Sequence, residues 1–223
     1  MGNNNDGKRE IVSYLTLRRV VGIMGVLLPV ALALGCLILG SCTGLHPTIS
    51  DYYGTAMRDV FVGILFVIGW FLFSYRGYQP RDNIAGDLAC LFALGVALFP
   101  TTSASKAVRA VHFISAAALF LVLAYFSLSL FTKTKEGKTP TCQKKARNRV
   151  YVTCGVVMLG CIGLIALYEI LPQSASLASI RPVFWLESLA LWAFGFSWFV
   201  KGETLWRDVV QGSMVGGSDC SES

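Results

Sequence analysis

Long apolar runs separated by short polar breaks dominate the chain. Six runs stand out: Val20–Gly40, Met57–Tyr75, Ile84–Phe99, Val108–Phe131, Val150–Leu171 and Pro182–Val200. A helix needs about 20 apolar residues, within a range of about 17–25, to cross roughly 30 Å of hydrocarbon. Five runs meet that length; the third, "IAGDLACLFALGVALF", is short and carries Asp87. Keeping it makes the number of spans even and puts the charged loops flanking it on opposite sides. The pattern predicts an all-α polytopic membrane protein with a six-transmembrane-helix bundle over residues 18–201. A polar tail at 1–17 and a Gly/Ser-rich tail at 202–223 flank it, both read as disordered.

Composition agrees. Of 223 residues, 54% are hydrophobic and 14% charged, against about 25% charged in soluble domains. With the N-terminus inside, 15 of the 19 basic residues fall on the cytoplasmic side, leaving only Arg58, Lys106, Arg109 and Arg181 outside. That bias places both termini in the cytoplasm. The net charge of +6 is thus a topology signal. Aromatic residues do not interleave with the basic ones, which argues against nucleic acid as a partner.

Cysteine use points the same way. Cys36, Cys90, Cys154 and Cys161 lie in spans, Cys142 and Cys220 face the reducing side, and only Cys42 is placed outside, so no disulfide framework is expected. "ILGSC", Ile38 to Cys42, resembles a lipobox that would acylate Cys42. Its apolar run of about 20 residues is longer than the roughly 7–15 of a signal h-region. Small residues mark expected helix contacts: Gly22, Gly25, Gly63, Gly69, Ser115 to Ala118, Gly155, Gly160 and Gly163. The same Gly/Ala faces leave oligomerisation open.

The ionisable residues gather at one boundary. Asp59 starts the second run, His112 lies near the start of the fourth, and Glu187 near the start of the sixth. At 1.5 Å per residue, His112 and Glu187 sit about 5–8 Å inside the outer boundary. Ionisable groups inside a span usually face the bundle interior or a wet cavity. The sequence therefore predicts an outward polar pocket walled by Asp59, His112 and Glu187, with Arg58 and Arg109 supplying positive charge and Asp51, Tyr52 and Tyr53 at the rim. Asp59, Gly63 and Trp70 form one helical stripe, with Gly63 leaving room beside the carboxylate. The competing reading is that charges snorkel at an interface and the aromatic residues form its belt.

"TISDYYGTAMRDVFVGILFVIGWFLFSYRGY" resembles the first-loop and second-helix signature of the DRAM-like superfamily of six-helix membrane proteins. That group includes autophagy modulators, a GPI-anchor lipid-remodelling relative and yeast Sfk-type regulators of plasma-membrane lipids. "AVHFISAAALFLVLAYF" is similar to its fourth helix and "FWLESLALWAFGFSWFV" to its sixth. The likeness extends to a set of uncharacterised bacterial six-helix proteins sharing an "SxSxYY…RDxFVG" arrangement. It implies six helices, cytoplasmic termini and a role near lipids, and it points to Ser50, Asp51, Asp59, His112 and Glu187. The chain departs from the group at Tyr52-Tyr53 and at Ser188.

Three functions fit. The first is binding or sensing of a lipid headgroup, with membrane lipids as partners and Arg58 and Arg109 holding a phosphate. The second is a lipid hydrolase or transferase using Asp59, His112 and Glu187 for acid–base chemistry. The third is a small-solute or proton-coupled transporter. No cofactor is expected; Asp59, His112 and Glu187 are weak metal candidates, since zinc sites favour His and Cys and the chain has two histidines. No GxSxG, P-loop, HExxH or CxxC occurs.

Overall fold

A computed structural model of the chain describes residues 4–75, 80–134, 141–172 and 178–202. Six α-helices occupy the described residues: α1 (Asn4–Ile38), α2 (Arg58–Phe73), α3 (Pro80–Leu98), α4 (Lys106–Tyr125), α5 (Cys142–Ile170) and α6 (Pro182–Lys201). No strand occurs among them. Each helix packs on the next in sequence and α6 returns to α1, so the helices form a closed up-and-down ring.

Four of them are long and apolar enough to cross a membrane: Leu15–Ile38 of α1, Lys106–Leu130 around α4, α5 and α6. Large apolar side chains such as Leu34, Leu91, Ile114, Leu121, Val156 and Leu164 are exposed around the bundle. Soluble monomers rarely show so extensive an apolar surface. The protein is membrane-embedded. Of the six spans expected from the sequence, these four meet the length and composition of a crossing. Helix α2 has 16 residues, about 24 Å of rise, and α3 opens on the polar turn Pro80-Arg81-Asp82-Asn83. At the other extreme, α1 runs 35 residues from Asn4, so the polar N-terminal segment read as a disordered tail is helical. The C-terminal tail lies outside the described residues.

Helix ends explain the first connection. Beyond Ile38, Gly40 takes the left-handed conformation (φ 65°). Gly40 N–H donates to Leu37 O at 3.1 Å and Ser41 N–H to Cys36 O at 3.1 Å, the paired bonds of a Schellman cap. The cap folds the chain back along α1 and lays Cys42 against Cys36, with Cα atoms 5.4 Å apart and the sulfurs disulfide-bonded. The expectation of no disulfide is thereby corrected: a turn, not span assignment, sets that distance. With its sulfur so engaged, Cys42 in this state has no thiol to acylate. Cys142, read as facing the reducing side, is also disulfide-bonded.

The ring closes where backbones touch. A Cβ on Gly195 would lie 2.6 Å from Gly22 O and 3.0 Å from Val26 N. Gly25 faces the Phe194 ring at comparable range. Beside this crossing the Trp192 indole N–H donates to Val26 O at 3.2 Å. At the far end from the α1–α2 loop, the Arg18 guanidinium donates to Lys201 O (3.3 Å) and that of Arg19 to Gly202 O (3.2 Å), satisfying carbonyls at the end of α6. Lys133 pairs with the buried Asp82 at 2.5 Å, and Tyr75, Phe126, Phe131 and Trp198 stack edge to face beneath it. Gly63, Gly160 and Gly163, by contrast, have nothing within 4 Å of a built Cβ and are not contact points in this chain.

Gly195→Ala forces backbone apart at the ring closure and is expected to cost about 1–3 kcal/mol. Gly163→Ala, facing open space, should stay within about 0.5 kcal/mol of wild type. Thermal unfolding of the two variants in detergent checks the pair.

Candidate functional site

The loop between α1 and α2 carries the site. Thr48 and Asp51 cap each other: Thr48 N–H donates to the Asp51 carboxylate and Asp51 N–H to Thr48 Oγ1, both at 3.1 Å. This reciprocal pattern starts the short 3-10 turn Ser50–Gly54. Two bonds then fasten the loop to α6. Phe184 N–H donates to Pro47 O at 3.0 Å, and Ile49 N–H donates to Glu187 Oε2 at 2.6 Å.

Ser50, the next residue, reaches α4. Its Oγ lies 2.9 Å from His112 Nε2, and His112 Nδ1 lies 2.7 Å from Phe99 O. A carbonyl only accepts, so Nδ1 carries the proton. In the neutral ring Nε2 is then the acceptor and the Ser50 hydroxyl donates to it. Ser50 and His112 are both buried, at 8% and 1% exposure. Thr101 holds Ser50 from behind, its hydroxyl donating to Ser50 O at 3.4 Å.

A cavity of about 40 Å³ opens beside this chain of bonds. Ser50 and Glu187 supply its polar side; Leu28, Phe61, Leu65, Leu119 and Leu191 are among its apolar walls. At roughly 10–15 Å³ per water, it holds about three waters or a short alkyl segment.

Of the residues predicted from sequence, all three lie at this end of the bundle, but His112 and Glu187 turn toward the loop and its cavity while Asp59 does not. Asp59 is exposed on the first turn of α2. Inward-facing Phe61 is two residues on, about 200° around the helix. The Asp59–Gly63–Trp70 stripe exists, but it faces away from the bundle, and Trp70 is 56% exposed. The metal and acid–base trio of Asp59, His112 and Glu187 is therefore not assembled, and both His112 nitrogens are already occupied.

The phosphate clamp does not form either. Arg58 donates to the Tyr53 hydroxyl at 3.3 Å and lies over the Tyr53 ring at 4.9 Å. Arg109 donates to Ser103 O and Ala104 O, pinning the α3–α4 loop. Neither lines the cavity. Asp51 serves as a cap, and Tyr53 packs on Phe61. Tyr52 is fully buried, with its hydroxyl oxygen accepting from His46 N–H at 3.4 Å. Burial holds its phenol above the ordinary value of 10.0, the His46 N–H pulling weakly the other way.

Sequence reasoning reached Ser50 only through a resemblance. The Phe99 carbonyl carries no side-chain signal and was missed. The Thr48-x-x-Asp51 spacing is a readable cap signature, and Asp51, expected at the pocket rim, closes that cap.

Set beside known proteins, the chain matches no family model, no curated protein and no solved structure.

Glu187→Leu strands the Ile49 N–H and should destabilise the fold by about 1–3 kcal/mol, whereas Glu187→Gln keeps an acceptor and should lose much less. Thermal unfolding in detergent separates them. For Tyr52, the fold favours the neutral phenol. Its stabilising contribution is whole below pH 10.0 and is lost as pH rises through the folded value. An alkaline unfolding series should show wild type losing stability more steeply above that pH than Tyr52→Phe.

Proposed function

We propose that the chain is a multi-pass bacterial inner-membrane protein whose outward cavity binds an amphipathic lipid. Six crossings with both termini in the cytoplasm fit the ring order and the concentration of basic residues at one end. In this reading the short α2 and the polar-tipped α3 complete the ring between longer neighbours. The likeness to DRAM-like proteins supports a role near lipids.

One observation carries the reading: a cavity with mostly apolar walls has Ser50 and Glu187 among its lining residues. An apolar segment fits the leucine and phenylalanine walls, and a polar group of the same molecule meets Ser50 and Glu187. The cavity is too small for a whole phospholipid headgroup, so the polar contact is with a hydroxyl or carbonyl near the head of the chain. The arginines then act on the surrounding loops and not as a phosphate clamp.

A second reading rests on the Ser50–His112 bond. A serine hydroxyl donating to an imidazole whose other nitrogen is held by an acceptor is the arrangement of an activated nucleophile and its base. Ser50 would attack a lipid ester, and His112 would take the hydroxyl proton and pass it to the leaving oxygen as the acyl–oxygen bond breaks. Water deprotonated by His112 would then release the acyl group from Ser50 as a fatty acid, with Phe99 O holding the ring. The catalytic serine thereby replaces the Asp59-based chemistry.

Native mass spectrometry of protein extracted from cell membranes tests both. Wild type should retain a lipid, and Leu191→Trp, which fills the cavity, should lower occupancy about tenfold, equivalent to about 1.4 kcal/mol. Absence of any retained lipid in wild type counts against binding. Ester turnover lost in Ser50→Ala with lipid retention intact would establish the second reading.

A further inference from the structure

Away from the cavity, three potential ligands converge on the first turn of the α1–α2 loop. Cys36 Sγ, Cys42 Sγ and His46 Nε2 all lie within 4.8 Å of one another, with Cys42 Sγ only 3.2 Å from His46 Nε2. We propose that, once its disulfide is reduced, this Cys36–Cys42–His46 cluster binds one thiophilic d10 cation, Zn²⁺ or Cu⁺.

The local structure supports the site in several ways. The Schellman cap at Gly40 sets the two sulfurs on one side of the turn. Tyr52 also holds His46: the two rings pack edge to face with centroids 4.9 Å apart, and the His46 backbone N–H donates to the Tyr52 hydroxyl. Its Nε2 lies on the side of the sulfurs, 3.2 Å from Cys42 Sγ. Ser41 Oγ lies 3.2 Å from Cys36 Sγ and is placed to donate to a thiolate there, the outer support that bound ligands usually have. Cys36 is fully buried while Cys42 and His46 are partly exposed, giving a shielded floor and a route in.

The donor set selects the ion. Two thiolates and an imidazole are soft to borderline ligands that favour Zn²⁺ or Cu⁺ over Mg²⁺ or Ca²⁺. Three protein ligands suit trigonal Cu⁺, or tetrahedral Zn²⁺ with one position left for water. Disulfide and metal site are alternative states of the same sulfurs. A thiol reductant RSH converts one to the other: the disulfide and two RSH give two cysteine thiols and RSSR. The ion then displaces two thiol protons, which leave to solvent, and His46 contributes its Nε2 lone pair without losing a proton.

The test uses full-length protein in detergent, reduced anaerobically with a phosphine and desalted, then titrated with Zn²⁺ or Cu⁺ against a colorimetric chelator. One equivalent of either ion per chain is expected, with about two protons released per ion. Cys42→Ser and His46→Phe should each weaken binding at least about tenfold, while Cys154→Ser should not. His46→Phe retains both cysteines and so can still form the disulfide, which intact mass verifies; it keeps the test valid if Cys42→Ser fails to fold. Binding of neither ion by reduced wild type overturns the proposal. So does stoichiometric binding that His46→Phe and Cys42→Ser leave unchanged, because the ion then sits elsewhere.

Discussion

The bond from Ile49 N–H to Glu187 sets the position of nearly everything at the loop end. A carboxylate within a bundle needs donors, and a loop laid across helix ends needs acceptors for its backbone. Each meets the other's need at 2.6 Å, in surroundings where an unpaired polar group is costly. With Pro47 O accepting from Phe184 N–H two residues earlier, the loop is clamped onto α6. Ser50 is then delivered to His112 without any freedom of its own.

That clamp works only because the ring is closed. Small residues at Gly22 and Gly195 bring α1 and α6 into backbone contact, and close approach of this kind stands in for the hydrophobic effect where lipid is the solvent. Leu28 of α1 and Leu191 of α6 face the same cavity beyond the crossing. The helix contact that holds the bundle together thus also shapes the apolar side of its cavity.

The cavity's chemistry follows from this asymmetry. Its walls are hydrocarbon except where the loop and α6 bring in Ser50 and Glu187. A purely apolar void offers only dispersion contacts; a polar edge adds hydrogen-bonding residues to one part of the lining. The Ser50–His112–Phe99 chain is fully hydrogen-bonded, which rigidifies that edge.

Much of this was legible in the amino-acid order. Apolar runs specified six helices, and the spacing of Asp59, Gly63 and Trp70 specified a shared stripe. The positions of His112 and Glu187 near helix starts specified that they meet the same end of the bundle. Periodicity states which side chains lie together on a helix, but not which face turns inward. Packing made that choice, sending Phe61 inward and Asp59 out. It likewise engaged Arg58 and Arg109 with their own loops. The Cys36–Cys42 bond came from a local cap whose glycine was visible in the sequence. The pairings of Ile49 with Glu187 and Ser50 with His112 join residues 138 and 62 positions apart, and no local pattern encodes a contact that exists only once the ring has closed.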